Sequence, residues 1–444
     1  MGLCVTWALA SGCPTLEAYQ CERDDDCNRA GLAGRCLADA ACAYPEANGR
    51  CDSGWARSPN AAGEPGACVD EEPPPNPTAA SSEGQTNTTD GSGSGGESTT
   101  TDGAAPCGWS VDVEVQTALF SPGTGLSDFV LWMPLENAGL EEPLQDPALG
   151  MRVIDEAGTL LPYEREDGLD GAPAIWLHLP DFEADATVRV SIEFKAGLEA
   201  PDPVDVWSPT QIGVWHLDDV PTGFEDAPVR NSVRPGDAGA MRGAMAVEQQ
   251  VAGVTGKALA FDGVDDVVLV PNSFTGTLDA YTVSFWGRSS SSDEALRGSF
   301  FQRLNGDYLY PRCWHATDYS GLVICQHQVA GATASTSSNG PLIDDEFVHI
   351  ALSRDPSTQT TTLLVRGENE GEIDDADGTL DTNDERYALE IGSGEWGSLL
   401  GAVDEFRVSD RALPHAHIRA DYRSQVAPGA SLTFGTPSTL NCPD

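Results

Sequence analysis

Apolar and polar residues alternate in short runs over much of the chain. In YTVSFWGR, residues 281–288, the side chains of Tyr281, Val283 and Phe285 fall on one face of an extended strand. Similar runs recur from Val130 onward, separated by Gly, Pro, Asp and Asn, and helical periodicity is nearly absent. A period of two residues is that of a strand with one buried face. The pattern therefore predicts an all-β fold.

The first residues, MGLCVTWALASGC, form a short apolar run that ends in small residues before a cysteine. This run resembles a bacterial lipoprotein signal, whose cysteine is lipidated after cleavage. The resemblance implies that residues 1–12 are removed and that Cys13 carries the lipid. No basic residue precedes Arg23, so an ordinary secretory signal remains the alternative. Both alternatives export the protein, as an outer-membrane or cell-surface lipoprotein or as a secreted protein.

Cysteines crowd the segment that follows, residues 13–68. A clustered, even set of cysteines in a small polar segment is typical of a disulfide framework, which requires an oxidising compartment. The six expected to form bridges there are Cys21, Cys27, Cys36, Cys42, Cys51 and Cys68. Residues 69–106 contain no Lys, Arg, aromatic, Leu or Ile residue and are predicted to be a disordered acidic linker.

Four strand-like runs lie in residues 107–206. The segment DEAG, residues 155–158, leads into LPYE, residues 161–164, and WLHLP follows at residues 176–180. These segments resemble a bacterial domain of unknown function that commonly precedes a LamG-like domain. The resemblance implies a β-sandwich-like domain here and no known activity.

A second strand-rich segment covers residues 207–428. Its landmarks are KALAFDGVDDVVLV (257–270), YTVSFWGR (281–288) and GAVDEFRVSDRAL (401–413). Taken in order, they resemble the LamG-like members of the concanavalin A-like lectin/glucanase superfamily. The resemblance implies a jelly roll of two antiparallel sheets. Residues 429–444 are expected to return as a strand to the first β domain.

The charge of the chain bears on its partners. Lys and Arg number 24 against 70 Asp and Glu, which gives a net charge of −46. Nucleic-acid binding requires clustered basic residues, so it is not expected, and we expect the membrane to be reached only through an N-terminal lipid. The expected function is non-catalytic binding of a glycan or protein ligand outside the cell through the LamG-like domain. The alternatives are a glycoside hydrolase of the laminarinase/lichenase-like glucanase type and a structural envelope protein with no discrete ligand.

One motif favours the hydrolase. EIDDAD, Glu372–Asp377, approaches the E-x-D-x-x-E pattern of those glucanases, in which the outer acids are nucleophile and general acid. Its last acid is an aspartate, and the LamG-like resemblance implies an acidic loop at this position after TTTLLVRG, so we expect no catalytic residue. His415 and His417 form an H-x-H pair, but the same resemblance implies that a short helix begins there. Trp396, on a predicted loop, is the candidate for stacking on a ligand.

Aspartates mark two candidate calcium sites, although no cofactor is expected to be required. Asp262 and Gly263 are predicted to form a tight turn between strands, where Asp262 or Asp265 could ligate calcium. A later loop nearly matches an EF-hand but has Ile373 at the first ligand position. Its candidate ligands are Asp375, Asp377, Asp381 and Asp384.

The β region contains four more cysteines. Cys313 and Cys325 flank a turn centred on Tyr319, and opposite residues of an antiparallel hairpin have a constant index sum, so these two are expected to form a cross-strand disulfide. Cys107 and Cys442, at the two ends of the β region, are then left over, and we expect them to bridge.

Overall fold

The computed structural model describes most of the chain beyond residue 107 and the backbone of five short strands before it. The described residues are 28–29, 32–33, 35–36, 42–45, 55–57, 108–136, 138–140, 143–144, 146, 148–167, 172–270, 280–289, 298–305, 308–316, 321–329, 332–341, 346–374, 388–394 and 397–440. The chain divides into two compact units, residues 1–100 and 101–444.

The first unit contains two small antiparallel sheets. Its strands are β1 (Asn28–Arg29), β2 (Leu32–Ala33), β3 (Arg35–Cys36), β4 (Cys42–Pro45) and β5 (Trp55–Arg57). β1 pairs with β2, and the other three strands are ordered β3-β4-β5. Cys36 and Cys42 lie directly opposite each other in the β3–β4 pairing.

The second unit begins with a β domain of two antiparallel sheets. Its elements are β6 (Gly108–Gln116), α1 (Thr117–Phe120), β7 (Leu126–Pro134), β8 (Leu149–Asp155), β9 (Leu160–Leu161), β10 (Tyr163–Asp167), β11 (Pro173–Phe182), β12 (Thr187–Ala196) and α2 (Pro203–Trp207). The strand orders are β6-β12-β8-β9 and β10-β11-β7, and the two sheets enclose one hydrophobic core.

The sheet β10-β11-β7 is buried on both faces. Phe129 and Ile175 point into the core of the first β domain, whereas Trp132 and Trp176 point the other way and pack with Trp207 of α2. A strand that is covered on both sides gains from apolar residues at consecutive positions. This explains why these strands contain continuous apolar runs instead of alternating ones.

A jelly roll of two eight-stranded antiparallel sheets follows. Its strands are β13 (Gly213–Trp215), β14 (Ala227–Val229), β15 (Gly239–Arg242), β16 (Gln250–Ala252), β17 (Lys257–Asp262), β18 (Val267–Val270), β19 (Tyr281–Ser289), β20 (Gly298–Asn305), β21 (Tyr308–Ala316), β22 (Leu322–Val329), β23 (Ala332–Ser337), β24 (Val348–Asp355), β25 (Thr360–Val365), β26 (Glu368–Asp374), β27 (Leu389–Ile391) and β28 (Leu400–Ser409). Single turns of 3-10 helix lie at Pro235–Asp237, Val247–Gln249 and Pro428–Ala430.

The two sheets of the jelly roll face each other across a dry core. The inner sheet has the order β16-β17-β28-β19-β24-β25-β26, with β13 beside β28, and the outer sheet has the order β14-β15-β18-β27-β20-β21-β22-β23. The rings of Phe285 and Phe406 of the inner sheet lie 5.6 and 5.4 Å, between centroids, from that of Phe301 of the outer sheet. Burial of such rings is the main favourable term in the packing of a sandwich.

The inner sheet is covered on its other face too. Helix α3, His415–Val426, places Ile418 on Ala351 and Leu364, and the indole N–H of Trp286 donates to Gln425 Oε1 at 2.6 Å. Beyond the helix, the doubly buried sheet of the first β domain packs on this face at Val214 and, through Trp176, at Arg407. Among the described residues, the outward face of the outer sheet is therefore the main sheet surface of the jelly roll on which no other domain packs.

The chain ends in the first β domain. β29, Leu432–Phe434, and β30, Ser438–Leu440, both pair with β6. The first β domain is thus completed by strands that follow the jelly roll in sequence. No helix among the described residues is long and apolar enough to cross a membrane.

The prediction of an all-β fold is confirmed in its coarse form, since antiparallel sheets dominate the described chain. One expectation was wrong. The residues after TTTLLVRG continue as edge strand β26 to Asp374 instead of forming a loop there. Three acidic residues, Glu166, Asp404 and Glu405, are buried. The last two lie in the doubly covered inner sheet, where Asp404 accepts from the backbone N–H of Val254 and Glu405 pairs with His216 and Arg407.

Candidate functional site

Six side chains form a row across the outward face of the outer sheet. Residues opposite each other in paired strands point to the same face, so the register of the pairings places these side chains next to one another. This transverse row consists of Leu269, Glu390, Gln302, Arg312, Gln326 and Ser335. Each comes from a different strand, and together they span most of the width of the sheet.

Hydrogen bonds hold the centre of the transverse row in place. The side-chain amide of Gln302 donates to Glu390 Oε2. The Nε and Nη2 atoms of Arg312 donate to Gln326 Oε1 at 3.0 and 2.6 Å. The guanidinium of Arg312 also lies over the ring of Trp314, with its Cζ atom 5.3 Å from the centroid. These planar polar groups are therefore fixed in orientation before any ligand arrives.

Access to the row increases toward the β22–β23 side. Arg312 and Trp314 are each only 6% exposed, Gln326 is half-buried, and Ser335 and Ser337 are exposed. A ligand approaching this face would meet the serine hydroxyls and the Gln326 amide first. Such groups both donate and accept hydrogen bonds, as sugar hydroxyls require.

A disulfide lies directly beneath this part of the row. Cys313 and Cys325 are opposite each other in the β21–β22 pairing, and their sulfur atoms are 1.98 Å apart. Both point into the core, so their neighbours Arg312 and Gln326 point outward. The bridge predicted from the hairpin geometry is present, and it fixes the register that aligns the row.

A second cluster of polar groups is buried where the first β domain meets the inner sheet. His216 Nδ1 lies 2.8 Å from Glu405 Oε1, and its Nε2 lies 3.2 Å from Glu164 Oε2. Glu166 Oε2 is 3.6 Å from the same Nδ1. Arg407 donates to Glu405 Oε2 at 2.7 Å. We call this group of residues the junction cluster.

A backbone irregularity directs Glu405 into the junction cluster. The register of β19 against β28 shifts between Ser284 and Trp286, and Glu405 has a φ of 52°, in the left-handed region. A bulge of this kind re-aims a side chain. Val403 and Phe406, three residues apart, therefore both point into the core, and Glu405 points with Arg407 toward the first β domain.

Burial and charge shift the pKa values of the cluster in opposite directions. Burial alone would lower the pKa of His216, but three surrounding carboxylates raise it well above its ordinary value. Burial would raise the pKa of Glu164, but His216 overrides this and lowers it to about 2. Burial dominates at Glu166 and holds its pKa well above the ordinary value. The imidazolium of His216 is thus the positive centre of the junction cluster.

Two acids with divergent pKa values often mark a general acid and a base, but of Glu164 and Glu166 only Glu164 lines open cavities, of about 170 and 560 Å³. Glu166 and Glu405 are at most 4% exposed in their side chains. The rings of Trp176 and Trp207 cover Arg407 at 4.3 and 4.7 Å. The cavity lined by Arg407 has a volume of about 10 Å³, enough for about one water molecule. The cluster therefore joins the two domains.

Glu166, His216 and Glu405 each bring one potential ligand atom within 4.8 Å of the others. His216 Nδ1 is already hydrogen-bonded to Glu405, and the guanidinium of Arg407 occupies the other oxygen of that carboxylate. A cation would have to compete with both. The described geometry favours ion pairing over metal binding at the junction.

The turn after β17 brings three aspartates together. One oxygen from each of Asp262, Asp265 and Asp266 lies within 4.8 Å of the others. Asp262 Oδ1 accepts from the backbone N–H of Val264 at 2.8 Å, and Asp266 Oδ2 accepts from Gln249 at 3.0 Å. Burial and the two neighbouring acids raise the pKa of Asp266. The carboxylates stabilise the turn, and their role as calcium ligands stays a prediction.

The remaining candidates on described residues do not form a site. Glu372 and Asp374 are exposed on edge strand β26 with buried Ile373 between them. His415 is exposed at the first position of α3. His417 is buried two residues later, and its ring lies 5.4 Å from that of Phe129. The two histidines therefore do not act together on a metal.

Several predicted sites lie outside the described residues. They are Cys13, the calcium candidates Asp375, Asp377, Asp381 and Asp384, the ligand-stacking candidate Trp396, the predicted bridge of Cys107 with Cys442, and the framework cysteines Cys21, Cys27, Cys51 and Cys68. For Cys36 and Cys42 the backbone alone is described.

The transverse row was missed in the sequence analysis. A signal for it existed, because Arg312 and Gln326 each lie next to a cysteine of the predicted cross-strand bridge. Neighbours of two directly opposite core residues must themselves be opposite and outward-facing. The junction cluster left no such local signal, since its members come from segments about 50 to 240 residues apart.

A family model described as the concanavalin A-like lectin/glucanases superfamily matches residues 262–419. The match confirms the lectin-like expectation for this part of the jelly roll. No curated protein matches the chain. The resemblance assigned to residues 107–206 and the lipoprotein signal stay predictions.

Solved structures to which the chain shows similarity include the native heptameric SAP-like pentraxin from Limulus polyphemus, at 12% identity and a TM-score of 0.30, over 36% of this chain and 78% of that one. The CBM40 of Ruminococcus gnavus IT-sialidase, bound to α2,3-sialyllactose, matches at 14% identity and a TM-score of 0.28, over 32% of this chain and 82% of that one. Domain 4 of AbnA, a GH43 extracellular arabinanase from Geobacillus stearothermophilus, in complex with arabinotriose, matches at 15% identity and a TM-score of 0.31. The match covers 38% of this chain and 78% of that one. At these values the likenesses carry no argument about a ligand.

Proposed function

We propose that the protein binds a glycan outside the cell through the outward face of its outer sheet, without catalysis. The transverse row is the observation that carries this proposal. Gln326 is half-buried and Ser335 is exposed, so these two offer the polar groups that a ligand can reach, and the buried side chains of Gln302 and Arg312 hold the row in place. Sugar recognition requires such pre-oriented polar groups together with an apolar or aromatic surface.

The choice of face follows from the packing of the domains. Helix α3 and the first β domain cover the outward face of the inner sheet, where Trp286 and Trp207 are at most 3% exposed. The outer sheet has no such domain on it within the described part of the chain. A protein ligand would use the same face, and it is the first alternative to a glycan.

The absence of catalysis is part of the proposal. A glycosidase needs two carboxyl groups flanking the bond to be cleaved. Within the transverse row Glu390 is the only acid, and in the junction cluster Glu166 and Glu405 are buried, so that Glu164 is the one acid of the cluster that lines an open cavity. Glu372 and Asp374 lie on the exposed edge of the other sheet. Hydrolysis remains the second alternative, and a purely structural role in the envelope is the third.

The cellular location is proposed from the N-terminal sequence. A cleaved signal, lipidation at Cys13 and a disulfide-rich module before an acidic linker fit a protein held at the cell surface. Calcium is proposed only as an optional ligand of the turn at Asp262 and Asp265, where it would relieve the repulsion that raises the pKa of Asp266. Calorimetric titration of the wild type and of Asp265→Asn with calcium tests this.

A glycan-array screen of the full chain, with and without calcium, tests the main proposal. We expect at least one glycan class to bind the wild type and to bind the double variant Gln326→Ala with Ser335→Ala about tenfold more weakly. Glu372→Gln, on the edge of the inner sheet, is the matched control and should bind like the wild type. Release of a shorter sugar from the bound glycan, lost in Glu372→Gln, would instead favour the hydrolase.

A further inference from the structure

Exposed apolar side chains gather at one edge of the jelly roll. Among the described residues, seven large hydrophobic side chains are exposed, and four of them lie on the three connections that join the inner and outer sheets at β13–β14, β15–β16 and β17–β18. These four are Val220, Phe224, Val247 and Val264, with exposed fractions of 57%, 75%, 56% and 73%. Single exposed apolar residues are ordinary, but a group is typical of a contact surface.

Hydrogen bonds tie the three connections into one surface. The backbone N–H of Gly223 donates to Met245 O at 2.8 Å, which joins the first connection to the second. Gln249 Nε2 donates to Asp266 Oδ2 at 3.0 Å, which joins the second to the third. We call the surface formed by Val220, Phe224, Val247 and Val264 the connection surface.

Acidic side chains surround the connection surface. Glu248, Asp262 and Asp265 are exposed beside its apolar residues and form no ion pair within the described part of the chain. Arg242 is the nearby base, and it already contacts Asp226 at 2.6 Å. The surface thus combines an apolar centre with an uncompensated negative rim.

The charge pattern selects the kind of partner. A second copy of this chain would bring another net charge of −46 against the rim, and an anionic bilayer would be repelled in the same way. A partner with an apolar patch surrounded by Lys and Arg would bury the exposed side chains and neutralise the rim. We propose that the connection surface docks a cationic, amphipathic segment of another protein, independently of the glycan face.

A labelled amphipathic peptide of Leu and Lys residues is a suitable probe, with a Leu and Gln peptide of equal length as its uncharged counterpart. Fluorescence anisotropy with the full chain should show binding of the Lys peptide. The double variant Phe224→Ser with Val264→Ser should weaken that binding about tenfold, and so should Glu248→Gln with Asp265→Asn. Leu160→Ser, which removes an apolar residue that is 64% exposed on the first β domain, is the matched control and should change nothing.

Three results would overturn the proposal. The first is that the Phe224→Ser and Val264→Ser variant binds the Lys peptide as the wild type does, at an unaltered melting temperature. The second is that the wild type binds the Lys and Gln peptides equally well. The third is that the Leu160→Ser control loses as much peptide binding as the Phe224→Ser and Val264→Ser variant. Sedimentation of the wild type as a dimer that this variant abolishes would assign the surface to self-association instead. Binding of the wild type to phosphatidylcholine vesicles that this variant abolishes would assign it to a lipid surface.

Discussion

The imidazole Nδ1 of His216 lies 2.8 Å from Glu405 Oε1, in a pair whose two side chains are almost completely buried. His216 follows the first jelly-roll strand, whereas Glu405 lies in the last one, and Glu164 of the first β domain contacts the other nitrogen of the same ring. A charge in this position is stable only while its partners remain. The two β domains are therefore expected to unfold as one body.

Replacing His216 should destabilise both domains together. His216→Gln leaves Glu164 without its buried cation and Glu405 with Arg407 alone, and removing one partner of a buried pair costs about 3 kcal/mol or more. We expect one cooperative unfolding transition in urea, at a lower midpoint than that of the wild type. Tryptophan fluorescence and circular dichroism should both report this same transition. His415→Gln, at the exposed start of α3, should lie within about 0.5 kcal/mol of the wild type. Two separate transitions in the wild type would contradict the single-body account.

The contribution of His216 should disappear at alkaline pH. Its pKa in the folded protein is raised, so its stabilisation is fully present below the ordinary value of about 6.5 and is lost as the pH rises through the folded-state pKa. The difference in melting temperature between the wild type and His216→Gln should therefore shrink with rising pH. Self-repulsion of the acidic chain affects both proteins and cancels in this difference. A difference that grows with pH would show that His216 is buried neutral.

The contribution of Glu164 to stability should depend on pH in the opposite direction. Its pKa is lowered from 4.5 to about 2, so its stabilisation is present above the ordinary value and is lost as the pH falls toward about 2. A shift of this size corresponds to about 3 kcal/mol. Glu164→Gln should reduce the free energy of unfolding by about this amount at neutral pH and by much less near pH 2, measured in urea. Glu156→Gln, an exposed acid on the same domain, is the control.

The predictability of these features differs for physical reasons. Alternation around Phe285 was sufficient to predict a sandwich strand, and hairpin symmetry was sufficient to place Cys313 opposite Cys325, because both rules are local. The continuous apolar runs at Phe129–Met133 and Ala174–Leu177 also indicated strands covered on both faces, although the sequence analysis did not draw that conclusion. The junction cluster could not be predicted, since its acids are charged residues whose burial depends on a partner from another domain.

The disulfide beneath the transverse row should contribute to stability and to alignment. The bridge spans a sequence separation of 12 residues, and closing a loop of this size is worth about 3 kcal/mol in the chain-entropy description. Cys313→Ser with Cys325→Ser should lower the urea midpoint accordingly and weaken glycan binding. A reducing agent should lower the midpoint of the wild type more than that of the variant, because the expected Cys107–Cys442 bridge is reduced in both.

The most direct test of the account is the location of a bound sugar. A crystal structure of the chain with the best ligand from the glycan array should show sugar hydroxyls hydrogen-bonded to Gln326 and Ser335 on the outer sheet. The side chains of Gln302, Arg312 and Glu390 should hold the same orientation with and without the ligand. A sugar bound elsewhere on the molecule, with the transverse row left untouched, would contradict the account.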